Sequence, residues 1–289
     1  VRSRGSVRQD GVVESHANLA DLLAAHSALP TAWRAATTAA SFLRDERPRA
    51  LKVDTKSTPT DAVSTMDRTA ERMIVDTVLS AFPDDGFLGE EGGERSSSSG
   101  RRWIVDPLDA TVNYLFRIPM YGVSVALEDA DGMVLGVVVV PEFDEAVVAV
   151  RGHGAWLVRR GAVERLRGSE CADLDQALVA TGFGYSAERR ERQAQVLSGV
   201  IGRVRDVRRT GCAVVDFCWL AMGRLDAFYE FGLNPWDHAA GALICREAGL
   251  EVTGLHGQDD LDPMFVAAAP KIAADLRALL IEVKADDLP

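Results

Sequence analysis

Trp103-Ile104-Val105-Asp106-Pro107-Leu108-Asp109-Ala110-Thr111-Val112-Asn113 is the stretch on which the reading of this chain turns. Trp103 to Val105 is a short apolar run of the kind that forms a buried strand. Pro107 has no N–H to give a sheet ladder, which predicts that the strand stops directly after Asp106. Asp106 and Asp109 then share one strand-to-turn elbow, and Ala110-Thr111 open a short helix. With Ala110 next to a helical first turn, a negative φ is expected there. Two ionised carboxylates brought this close repel, and in a low dielectric one of them protonates unless a cation lies between them, so a divalent metal is the natural partner. The N–H groups and positive dipole end of the following helix face the same spot and suit a phosphate. Taken alone, a DxxD pair is more often a turn residue and a helix cap.

Two further blocks change that balance. Gly89-Glu90-Glu91-Gly92 lies just upstream, and Trp236-Asp237-His238-Ala239-Ala240-Gly241 lies far downstream. Together the three blocks resemble the inositol monophosphatase family of Mg²⁺-dependent, lithium-sensitive phosphatases. That family's pattern reads GEE, then DPIDGT followed by N, then WD with a small-residue helix. The resemblance runs from about Lys56 to the C-terminus. Its one clear departure is Ala110, which stands where the motif has glycine.

The chain has 289 residues, 47% apolar and 26% charged, an ordinary globular composition with room for two packed halves. A net charge of -11 argues against non-specific nucleic-acid binding, which needs clustered Lys and Arg. It also opposes an anionic substrate unless bound divalent ions invert the local field. Cys171, Cys212, Cys218 and Cys245 show neither CxxC nor zinc-like spacing and read as buried, reduced thiols. No signal peptide and no apolar run of membrane-spanning length is visible, so a cytoplasmic location is expected, with no membrane partner.

Residues 1–14 read as a disordered leader. Ser15 is expected to cap a helix carrying Leu19, Leu22, Leu23 and His26, and Pro30 opens a second helix. Lys56 to Asp61 reads as a turn-rich loop, with Asp67 at the start of a helix that runs to Ala81. Glu94 to Gly100 reads as a flexible surface loop. Two β-rich runs flank a hairpin turn at Asp131-Gly132, and an antiparallel sheet continues after them. Residues 15–167 thus form an α+β, metal-binding half. From residue 168 to 289 strands and helices alternate, giving an α/β half that completes the metal and substrate site. The fold that the resemblance implies is a layered αβαβα sandwich.

Glu90, Asp106, Asp109, Asp237 and the Leu108 carbonyl are the candidate ligands, and all of them offer oxygen, which selects Mg²⁺ over zinc or copper. The resemblance implies two or three Mg²⁺ per site and inhibition by Li⁺. Glu90, Asp106 and Leu108 O would hold one ion, and Asp106, Asp109 and Asp237 a second. Thr111, backed by Asp67, would orient the attacking water, with Glu90 also counted among the catalytic residues. Lys56 falls on what is, in that family, a metal-responsive loop. Substrate contacts are implied for Asp109, Ala110, Thr111, Asp237, the backbone of Gly211-Cys212-Ala213, and Glu230, which stands seven positions before Asp237. Two ordinary readings stay open: Trp236-Asp237 as core packing plus dipole complementarity, and Glu230 as a strand-end carboxylate. His238 reads as structural.

The implied activity is that of an inositol-phosphate phosphatase, a phosphomonoesterase using metal-activated water on inositol monophosphate or a related polyol or sugar phosphate. Alternatives on the same fold are histidinol-phosphate phosphatase and fructose-1,6-bisphosphatase. From a different class, a degenerate member would act only by binding a partner. The implied partners are a small phosphomonoester and a second copy in a homodimer, with no nucleic acid.

Overall fold

The computed structural model describes residues 18–47, 59–261 and 263–287. The 1–14 leader, Ser15 and Lys56 lie outside the described residues. Helix α1 (Leu19–Leu23) is capped by Asn18, whose side chain accepts the Asp21 N–H at 2.9 Å. It stops before His26, whose Nδ1 accepts the Ala28 N–H at 3.1 Å in the turn that follows. Helix α2 (Leu29–Asp45) has Pro30 in its first turn, as expected. Helix α3 (Pro59–Ala81) starts eight residues earlier than the sequence reading placed it. Proline needs no N–H partner at a helix's first position, so Pro59-Thr60-Asp61 opens the helix instead of a loop. Asp67 therefore sits in the helix interior, buried, and is not a first-turn acid.

An eight-stranded sheet follows: β1 (Gly86–Gly89), β2 (Gly93–Arg95), β3 (Arg102–Asp109), β4 (Gly122–Asp129), β5 (Gly132–Val140), β6 (Glu145–Val150), β7 (Gly154–Arg159) and β8 (Ala162–Arg165), in the order β2-β1-β3-β4-β5-β6-β7-β8. Only the β1–β3 pair is parallel. Contrary to expectation, β3 passes through Pro107 and ends at Asp109. Pairing with β1 stops at Val105, and the register with β4 shifts between Asp106 and Asp109, so the ladder asks Pro107 for no N–H. The serine-rich segment is also more tied down than predicted. Gly93–Arg95 pairs with β1, and the N–H groups of Ser98 and Ser99 donate to the Asp84 carbonyl at 2.9 and 3.0 Å. Helix α4 (Thr111–Leu115) leaves the end of β3.

The second half contributes β9 (Leu178–Thr181), α5 (Ala187–Val200), β10 (Asp206–Arg208), α6 (Ala213–Ala221), β11 (Ala227–Phe231), α7 (Pro235–Glu247), β12 (Glu251–Gly254), β13 (Met264–Ala268) and α8 (Ala273–Glu282). Its five-stranded sheet is mixed, in the order β10-β9-β11-β13-β12, with β13 antiparallel to both neighbours. α2 and α3 cover one face of the first sheet, α6 and α7 lie between the two sheets, and α5 and α8 close the far side. The molecule is a layered α/β sandwich, as the sequence led us to expect. The middle layer depends on small residues: a Cβ on Gly136 of β5 would lie 2.9 Å from the Ala240 Cα of α7, and one on Gly241 would collide with the Phe217 ring. Because α6 and α7 pack on the first sheet, the two halves share one core. Among the described residues no helix is long and apolar enough to cross a membrane.

Candidate active site

The end of β3, the turn after β1, the start of α6, the end of β11 and the start of α7 converge on one cavity of about 280 Å³. Glu90, Asp106, Leu108, Asp109, Ala110, Thr111, Gly211, Cys212, Ala213, Glu230 and Asp237 all line it. Asp106 is fully buried, and its Oδ1 accepts the Leu108 N–H at 3.0 Å, closing the elbow on itself. Asp109 Oδ2 accepts the Val214 N–H at 2.8 Å at the start of α6 and the Cys212 thiol at 3.2 Å. Asp237 is the third residue of α7, and its Oδ2 accepts the Asn234 N–H at 2.7 Å in a reciprocal capping box. In each case at least one carboxylate oxygen is bonded to the protein framework. Glu90, at the exposed mouth, reaches Asp106 with its carboxyl.

Crowding and burial raise the proton affinity of every acid here. Burial, then Asp109 and Glu90, push Asp106 well above the usual carboxylate range. Burial raises Asp109 too, although the Val214 N–H and the Cys212 thiol pull the other way. Glu90 and Asp237 are each pushed up to about 7, in both cases by burial first. Among the described residues no three His, Cys, Asp or Glu side chains close into a tight ligand shell. The fit to a hard divalent cation therefore lies in the donors themselves: all oxygen, charge-crowded and held in place by bonds to the framework.

Ala110 departs from expectation. It caps α4 with φ 72° and ψ 50°, in the left-handed region, where the sequence reading had a negative φ. Asp109, held by α6, and the Tyr114 N–H, which donates to the Ala110 carbonyl at 3.0 Å, fix the elbow in a shape that suits glycine. Alanine tolerates it at a cost of about 1–2 kcal/mol. Ala110→Gly should thus raise the thermal midpoint by roughly 2–4 °C, reflecting about 1 kcal/mol after the unfolded-state entropy of glycine is deducted. A calorimetric scan in which Ala110→Gly melts below the parent would show that the methyl contributes more packing than strain.

Asp67 does not line the cavity. It is buried on α3 with an Oδ1 that has no hydrogen-bond partner, and the Thr111 hydroxyl donates to the Leu108 carbonyl at 3.3 Å instead of to Asp67. Burial, then Glu90, Glu91 and Glu71, push Asp67 up to about 8. A carboxyl whose folded pKa exceeds its unfolded value of about 4 binds more protons in the folded state, so its contribution to stability is present below about pH 4 and is lost as pH rises through about 8. In chelator, the thermal midpoint should therefore fall as pH rises from about 5 to about 9, and Asp67→Asn should melt roughly 2–4 °C above the parent at the alkaline end. Identical melting of the two proteins there would contradict this.

Several residues of the pocket were not singled out from the sequence. Thr181, Phe183, Tyr185, Arg189, Arg209, Asp216 and Asn234 also line it. Asp216 is 2% exposed, its Oδ2 accepts the Thr210 hydroxyl at 2.8 Å, and its Oδ1 has no partner. An acid inside the apolar run Val214-Val215-Asp216-Phe217-Cys218 is the signal that marks it. Asn113 donates to the carbonyls of Met120 at 2.8 Å and Thr210 at 3.0 Å, tying α4 to the loop before α6. His238 packs its ring against Phe265, with centroids 5.8 Å apart. Cys212, Cys218 and Cys245 are buried free thiols, and Cys171 is half-buried.

A layered α/β sandwich with an acid-lined pocket where a strand turns into a helix defines the class of protein. The chain belongs to the inositol monophosphatase family, whose pattern matches residues 25–284. It is 40% identical over 263 residues to inositol-1-monophosphatase SuhB of Mycobacterium tuberculosis, covering 85% of this chain and 90% of that protein. It is 36% identical over 272 residues to Nus factor SuhB of Escherichia coli, covering 91% and 99%. The crystal structure of extragenic suppressor protein suhB from Bartonella henselae superposes with a TM-score of 0.79 at 35% identity, over 88% of this chain and 98% of that one.

Proposed function

We propose that the chain is a Mg²⁺-dependent phosphomonoesterase that hydrolyses inositol monophosphate or a related polyol or sugar phosphate. The observation that carries this reading is the set of three framework-bonded carboxylates, Asp106, Asp109 and Asp237, that line the same cavity as Glu90. Residues 15–167 supply Glu90, Asp106, Leu108, Asp109 and Thr111 to the site, and residues 168–289 supply Asp237, Glu230 and the Gly211–Ala213 backbone. Glu90, Asp106, Asp109, Asp237 and the Leu108 carbonyl are the groups that would hold the cations. The chemistry that Mg²⁺ would supply there is neutralisation of phosphate charge and activation of water at neutral pH. Thr111 would orient the attacking water without the support from Asp67 that the resemblance implies, and Glu230 would accept hydroxyls of the alcohol. A homodimer in the cytoplasm, where free thiols persist, completes the reading.

A second reading is set by the Escherichia coli relative, which is called a Nus factor and not a phosphatase. The chain would then bind a protein partner, with the acids kept for structure. Intact Glu90, Asp106, Asp109, Thr111 and Asp237 favour the enzyme. The test is phosphate release from inositol monophosphate, histidinol phosphate, fructose 1,6-bisphosphate and an aryl phosphate, after chelation and again with Mg²⁺ restored. Release that depends on Mg²⁺, is greatest for inositol monophosphate and is inhibited by Li⁺ is expected. No release from any of the four with Mg²⁺ present would leave only the binding reading.

A further inference from the structure

Glu71 is a buried acid to which the proposed chemistry gives no role. It lies one turn beyond Asp67 on the same face of α3, is 4% exposed, and has no ion-pair partner among the described residues. Its Oε2 accepts the Glu91 N–H at 2.9 Å. Both oxygens are seated against glycine: a Cβ on Gly89 would collide with Oε2, and one on Gly92 with Oε1. The carboxylate thus fills the inside of the turn Glu90-Glu91-Gly92, which joins β1 to β2. Glu90, on that turn, is the residue whose carboxyl reaches Asp106.

An exposed hairpin turn leaves its N–H groups to water. Burying a carboxylate to bond one of them is costly unless the bond fixes something that must not move. We infer that Glu71 is the positioning residue for Glu90: wedged between Gly89 and Gly92 and bonded to the Glu91 N–H, its carboxylate fixes the peptide that aims Glu90 at Asp106. This rests on the reading of Glu90 as a cation ligand. Removing the wedge frees the turn without removing any ligand oxygen. The affinity for the cation falls, while turnover at saturating cation survives.

The test is Mn²⁺ binding to chelator-stripped protein, followed by electron paramagnetic resonance, beside the Mg²⁺ dependence of phosphate release. Glu71→Ala is expected to weaken Mn²⁺ binding by about tenfold or more and to raise the Mg²⁺ needed for half-maximal rate in parallel, with kcat at saturation held within about threefold. Glu71→Gln keeps an acceptor oxygen and should stay within about threefold of the parent in both readouts. Gly92→Ala, whose methyl evicts the carboxylate, should weaken binding like Glu71→Ala, and adding it to Glu71→Ala should cost nothing further. Parental Mn²⁺ affinity in Gly92→Ala and Glu71→Ala, whatever their melting temperatures, overturns the inference, as does Glu71→Gln being as weak as Glu71→Ala. Should Glu71→Ala fail to fold, Gly92→Ala and Glu71→Gln decide between the same outcomes. A parent protein that binds no Mn²⁺ would instead overturn the cation reading of Glu90, and this assignment with it.

Discussion

Asp106→Asn is expected to lower kcat/KM by about 10³-fold or more, roughly 4 kcal/mol of barrier, while the metal-free protein melts no lower than the parent. The two halves of this result pull in opposite directions for one reason. Asp106 is the most buried carboxylate of the pocket, and Asp109, Glu90, Asp237 and Asp67 all oppose its ionisation. Asparagine keeps the Oδ1 that accepts the Leu108 N–H, so the elbow survives, and it removes a charge that the fold resists. It also replaces the other oxygen with an NH₂ group, a donor where a cation needs an acceptor. Kinetics at saturating Mg²⁺, together with Mn²⁺ binding, check the first half, and a melt in chelator checks the second. Activity within about tenfold of the parent would remove Asp106 from the centre of the mechanism.

The pairing of Asp106 with Asp109 was legible from a local pattern. The layers of the sandwich and the convergence of Glu90 and Asp237 on that elbow were legible through the family resemblance that the three blocks carry. Apolar runs bounded by turns gave the strands, and the Pro235-Trp236-Asp237 helix start placed its acid in the first turn, where the structure has it. What was not legible depends on partners distant in sequence. Pro107 looks like a strand terminator until the β1 pairing is seen to end at Val105 and the β4 register to shift, leaving no ladder bond for it to miss. Ala110 looks helical by its own preference. Its left-handed φ is imposed by Asp109, gripped from α6 more than 100 residues away.

Asp67 shows the same limit from the other side. A proline inside a polar stretch suggested a loop, yet it opens α3 and shifts Asp67 from a helix dipole position into the interior. Arg47 is a further case. It stacks over the rings of Tyr114 and Tyr121, 4.8 and 5.0 Å from their centroids, and donates to the Tyr114 carbonyl at 2.7 Å. It thereby ties the end of α2 to α4 and the elbow, a link that no spacing in the sequence announces.

Glu230→Gln should reduce kcat/KM for inositol monophosphate by about 10- to 100-fold while changing that for a small aryl phosphate by less than about threefold, since a hydrogen bond to a charged group is worth roughly 1.5–3 kcal/mol and exists only when the hydroxyl does. Glu230 stands near the end of β11, beside Gly182, where any Cβ would collide with its carboxylate. That seat fixes the direction of the side chain into the cavity shared with Asp109 and Asp237. Glutamine has the same volume, so it leaves no hole and keeps the wall intact. Burial, followed by Asp109, Asp216 and Asp237, pushes Glu230 up to about 8, with Arg209 opposing, so the neutral amide also suits its surroundings. Loss of fold is therefore not expected to confound the measurement. Cations held by the neighbouring acids would favour the ionised carboxylate, and the hydroxyls of a polyol are the donors it would accept. Equal losses on the two substrates would make Glu230 a structural acid and detach substrate choice from β11. A selective loss would place the alcohol of the ester between Glu230 and the Asp106–Asp109 elbow, with its phosphate toward the carboxylates.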